Sequence, residues 1–136
     1  MTPTYLSATP RWMRLLALVL GITLLLWFPV EEISQLSVVL FAALISAWFA
    51  LRALLPVQPG ERYYLVRHLL VGALAGLAVT PLAFLLMAIK TGLHSHSAPD
   101  FTFEQIQVLL FRTPLWVIVG LLLGLGGSLF HLARTR

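Results

Sequence analysis

The sequence predicts an all-α, polytopic membrane protein: four transmembrane helices, both termini cytoplasmic, plus a short outer interfacial helix. Three observations lead there. The 136 residues are 60% hydrophobic and 10% charged, whereas a soluble domain carries about 25% charged residues. Such a chain lacks the polar surface to face water, and its mean hydropathy is +0.94. Its apolar residues fall into four blocks, each close to the roughly 20 residues that a helix needs to cross the hydrocarbon. Seven of the nine basic residues lie on one side of that four-block reading: Arg11, Arg14, Arg52, Arg62, Arg67, Arg134 and Arg136. Lys90 and Arg112 lie on the other, with Glu31, Glu32, Asp100 and Glu104. Basic residues in short loops stay cytoplasmic, which sets the orientation. Residues 1–136 are expected to form a single four-span transmembrane bundle.

The first span is expected over Trp12 to Val30, closed by Pro29 and the Glu31–Glu32 pair. Arg11 and Arg14 ahead of an apolar run resemble a signal peptide, but no small-x-small cleavage site follows, so a retained span is expected. The second span begins after a short turn, runs from Ile33 to Leu54, and is stopped by Pro56. Pro56-Val-Gln-Pro-Gly-Glu-Arg62 is turn chemistry. The third span is placed from Tyr64 to Ile89, with Pro81 near its middle removing a backbone donor and kinking the helix. Beyond it the outer loop starts at Lys90, and its first part, Thr91 to Pro99, reads as irregular. The segment 101–112 reads as an interfacial helix, with Asp100 as N-cap or, from an alternative start, a Thr102/Gln105 capping box. Phe101, Phe103, Ile106 and Leu110 are expected to face lipid. Thr113 as cap and Pro114 at the first helical position open the fourth span, 114–133. Trp12, Trp48, Tyr63 and Tyr64 would form the inner aromatic belt, and Trp27 and Trp116 the outer one.

Composition removes several classes of function. The absence of cysteine excludes disulfides, thiolate metal sites and cysteine nucleophiles. The formal charge of +4 comes from residues flanking the spans, where they meet anionic lipid head groups at the cytoplasmic face. No soluble basic stripe exists to hold nucleic acid, and none is expected as a partner. No Ser-His-acid grouping, zinc helix motif, phosphate loop or pair of buried carboxylates can be assembled, so the chain is not expected to be an enzyme. The spans carry no charge in their central stretches, which argues against a self-contained ion-coupled transporter.

The most structured feature is the small residues. Gly72 and Gly76 form GxxxG on span three, as do Gly120 and Gly124 on span four, where Gly126 and Gly127 follow. Ala43, Ala47 and Ala50 add a stripe on span two. Close backbone approach through small residues drives helix association in lipid, so Gly72, Gly76, Gly120, Gly124 and Gly127 are read as packing positions. Adjacent Gly126 and Gly127 point about 100° apart, which implies close contacts on two sides of span four. His68 shares a face with Gly72 and Gly76, and His131 shares one with Gly127 and Gly124. An imidazole beside a glycine groove can ligate a haem or chlorophyll-type macrocycle, although interfacial histidines satisfied by water or phosphate are commoner. His94 and His96, with Asp100 and Glu104, lack the fixed geometry a metal requires, and no metal is expected.

The expected function is therefore that of a non-enzymatic integral membrane accessory or structural subunit, partnered by other membrane protein subunits. A bioenergetic or photosynthetic complex in the bacterial inner membrane is the expected host. The alternatives are a small haem- or chlorophyll-binding membrane protein using His68 and His131, and a small oligomeric channel or transporter.

Overall fold

A computed structural model describes residues 9–30, 34–55, 63–94 and 101–134. The described chain is all-α, with helices α1 (Arg11–Trp27), α2 (Gln35–Leu54), α3 (Tyr64–His94), α4 (Phe103–Phe111) and α5 (Thr113–Arg134). Three of these, α2, α3 and α5, are long and apolar enough to cross a membrane, which suggests an integral membrane protein. The fourth expected span is the difference. With 17 residues, α1 rises about 26 Å, somewhat less than the roughly 30 Å hydrocarbon thickness.

The largest departure from expectation is the length of α3. It runs for 31 residues, through Pro81 and on past Lys90 to His94. The third span was expected to end near Ile89, with Lys90 in the outer loop and Thr91 to His94 irregular. Instead Lys90 is buried, and its ammonium lies 3.9 Å from the centroid of the Trp27 ring. The indole face attracts the cation within the protein, so the helix has no need to stop.

Helix α4 starts at the second of the two expected caps. Thr102 Oγ1 accepts from the Gln105 N–H at 3.3 Å, and Gln105 Oε1 accepts from the Thr102 N–H at 2.8 Å, a reciprocal capping box. Asp100 and the rest of 95–100 lie outside the described residues. Of the residues expected to face lipid, Phe103 and Leu110 are exposed and Ile106 is half-buried. Phe101 is instead 4% exposed and packs into the core with Leu109. Arg112 is the only residue between α4 and α5. Thr113, expected to cap α5, is itself helical, and its hydroxyl lies 2.8 Å from that of Thr80 on α3.

Packing arranges the long helices as a row: α1 lies on α2, α2 on α3, and α3 on α5. Side-chain hydrogen bonds tie successive members. Trp48 Nε1 on α2 donates to the Met13 carbonyl on α1 at 3.1 Å. The Ser46 hydroxyl on α2 donates to the Ala75 carbonyl on α3. Gln35 Nε2 donates to the Gln105 carbonyl at 2.8 Å, joining α2 to α4. The main apolar core sits toward the Lys90 end of α3, where Trp27, Val38, Ala83, Met87, Phe101 and Leu109 converge. Elsewhere leucines such as Leu18, Leu25, Leu74 and Leu123 point outward. Water does not tolerate such a surface over whole helices, whereas acyl chains do.

Candidate functional site

The seam between α3 and α5 is built from glycine. A Cβ placed on Gly72 would overlap the carbonyl oxygen of Gly120, and would lie 3.0 Å from its carbon and 3.3 Å from the Gly124 Cα. Reciprocally, a Cβ on Gly120 would overlap the Gly72 carbonyl, one on Gly76 the Trp116 carbonyl, and one on Gly124 the His68 carbonyl. The antiparallel register therefore sets His68 level with Gly124, Gly72 with Gly120, and Gly76 with Trp116. The Thr80–Thr113 hydroxyl pair completes the ladder. Glycine is required here for close approach, since either backbone fills the space a side chain would take. Gly127 does not join this seam: nothing described lies within 4 Å of a Cβ placed on it, and the same holds for Gly126.

His68 and His131 are brought to one end of this seam, linked through Tyr64. His68 is 8% exposed, and its Nδ1 lies 2.9 Å from the Tyr64 carbonyl. A carbonyl can only accept, so Nδ1 is the donor in this bond. The Tyr64 ring stands 4.2 Å from that of His68, and 6.4 Å from that of His131 with 20° between the planes. His131 is exposed. The glycines beside His68 do not form an open slot, because the backbone of α5 occupies their face. Among the described residues, no group of three or more histidine, cysteine, aspartate or glutamate side chains could hold a metal ion. His96 lies outside the described residues.

Because the helices form a row, α2 and α5 stand apart over α3 and leave a groove of about 360 Å³. Ala47 and Ala50 form one wall, Trp116 and Leu123 the other, and Ala75 and Gly76 the floor. The alanine stripe of α2 thus lines an open cleft. On the opposite side of the α2–α3 contact lies a second groove of about 570 Å³. Its floor includes Ala50, Ala75 and Ala78, and its walls Phe49, Leu74 and Leu85.

Sequence reasoning missed three features. Lys90 was placed in a loop and is instead a buried cation on the indole of Trp27. Trp27 and Tyr64, read from sequence only as belt residues, also pack within the chain, at 8% and 5% exposure. The Trp27 indole nitrogen is buried without a hydrogen-bond partner among the described residues. The available signal was an aromatic cluster: Trp27, Phe28 and Phe41 pack with ring centroids 5.6 and 5.0 Å from that of Trp27, and a cation one helix away is its natural complement. Set against protein-family models, curated proteins and solved structures, the chain matches none.

Proposed function

We propose that this chain is a non-enzymatic integral membrane subunit that crosses the bilayer four times, keeps both termini cytoplasmic, and docks against another membrane protein. The observation that carries the reading is the open row of helices. A bundle that closed on itself would bring α2 against α5, yet an apolar groove of about 360 Å³ separates them. Helices in lipid associate through close packing of small residues, and the α2 wall of this groove offers Ala43, Ala47 and Ala50 to an incoming helix. Gly126 and Gly127 add unfilled helix surface elsewhere on α5. α1 counts as the fourth span because Phe28 and Pro29 extend its apolar run by a few ångströms, enough to reach the interface with little mismatch. The distribution of basic residues sets the orientation.

The pigment-binding alternative loses its main support, since the glycine face beside His68 is filled by α5. The channel alternative gains none: the groove is apolar, with no ring of charge along it. A photo-reactive amino acid at Ala47 or Leu123, activated in native membranes, tests the subunit reading. Crosslinks to a second membrane protein are the expected result. Crosslinks to lipid alone, with the chain purifying as a colourless single species, would overturn it.

A further inference from the structure

We infer that the second groove, on the opposite side of the α2–α3 contact, is a binding site for one anionic phospholipid, its acyl chain in the groove and its phosphate at Arg67. The inference rests on the membrane embedding proposed above but not on the subunit role. The groove runs along α3 from Val71 to Leu85, a rise of about 21 Å, which exceeds the roughly 15 Å depth of one leaflet's hydrocarbon. Its floor is small and its rim large. Ala50, Ala53, Ala75 and Ala78 sit beneath the exposed Phe49 and Leu74. A slot of that shape accepts a flexible methylene chain without moving the helices.

Charge fixes the occupant. Arg67 precedes Val71 by four residues and Leu74 by seven, so it stands on the same face of α3, one turn beyond the groove's end. It is exposed, and its guanidinium makes no ion pair or hydrogen bond among the described residues. It also lies in the first turn of a 31-residue helix, where the unpaired N–H groups favour an anion. A cation at the mouth of an apolar slot, at the depth where the bilayer turns polar, complements an amphiphile with an apolar tail and an anionic head. A guanidinium matches the oxygens of a phosphate in two parallel hydrogen bonds. Arg52 is no part of this site: it lies over the Trp48 ring, on the side of α2 that meets α1.

The test uses the full chain, released for native mass spectrometry from vesicles of phosphatidylcholine containing a minority of phosphatidylglycerol. The expected result is one retained phosphatidylglycerol adduct on the parent protein. Arg67→Gln should reduce that adduct about tenfold, the loss expected for a hydrogen bond to a charged group. Arg52→Gln, the same change of charge away from the groove, should leave it intact. Ala78→Leu and Ala53→Leu fill the groove from its two helices and should each remove the adduct while Arg67 remains. Equal loss in Arg52→Gln and Arg67→Gln would mean a diffuse surface field and overturn the proposal. So would an adduct that survives both leucine variants, one displaced by inorganic phosphate, or a dimer in place of the lipid-bound chain. A chain that purifies alone yet keeps the adduct would defeat the subunit reading and leave the lipid site standing.

Discussion

Replacing Gly72 with alanine adds one methyl group inside the close backbone contact between α3 and α5. The new Cβ would overlap the Gly120 carbonyl oxygen, with the Gly120 carbon at 3.0 Å and the Gly124 Cα at 3.3 Å. All three neighbours are backbone, so no side chain can rotate away. Ordinary contact between such atoms lies near 3.5 Å, and α3 and α5 must separate by on the order of 1 Å to restore it. That movement also loosens Gly76 against Trp116 and Gly124 against His68, because they belong to the same ladder. Overpacking of this kind costs about 1–3 kcal/mol. Alanine's better helix propensity returns about 1 kcal/mol, leaving a net destabilisation of roughly 0–2 kcal/mol. Gly126→Ala is the matched control, since nothing described lies within 4 Å of its Cβ. It should keep only the propensity gain, about 1 kcal/mol of stabilisation at most. Equilibrium unfolding in mixed micelles, followed by fluorescence of the four tryptophans, measures both. If Gly72→Ala is as stable as Gly126→Ala, the backbones are not in contact at this seam and the packing argument fails.

Thr80→Val and Thr113→Val, alone and together, should reveal a coupling of about 0.6 kcal/mol and at most about 1.7 kcal/mol, the range for polar contacts between helices in lipid. Additive effects in that cycle would show that the 2.8 Å hydroxyl contact contributes nothing. The absence of cysteine makes topology equally direct to test: Phe103→Cys should react with an impermeant thiol reagent from outside the cell, and Tyr63→Cys only after permeabilisation. Labelling of Tyr63→Cys from outside would reverse the orientation.

The helices were readable because hydrophobic block length and Pro/Gly punctuation both act locally. Pro56 and the Thr102/Gln105 pair mark boundaries of α2 and α4 within a residue or two. The GxxxG pairs were equally visible, since spacing by four puts two glycines on one face whatever the fold. What the sequence could not supply was which faces meet. Gly124 and Gly127 look alike as letters, yet one lies on the α3 backbone and the other faces open space. Lys90 defeated local reasoning for the same reason. A lysine beside an apolar run reads as a loop until the Trp27 ring, 63 residues earlier in the chain, is brought 3.9 Å from its ammonium.

The distribution of polar contacts explains why the helices stay in a row. Apolar burial gives little drive for closure between helices in lipid, so association depends on backbone proximity and on the few polar groups that need partners. Here both are concentrated on α3. Its glycine face holds α5, its Ala75 carbonyl receives Ser46 from α2, and its Thr80 hydroxyl meets Thr113. Among the described residues no side-chain hydrogen bond joins α2 to α5, and across the groove α2 presents alanine and leucine while α5 presents Trp116, Val119 and Leu123. α1 is attached differently, by the Trp48–Met13 bond to α2 and by the Trp27 ring over Lys90. Strong ties to a central helix and weak ties between its neighbours leave lateral surface free. In a bilayer that surface must be covered by acyl chains or by another protein, and the second groove has a feature that favours lipid: one turn beyond its end stands Arg67, whose guanidinium has no partner among the described residues.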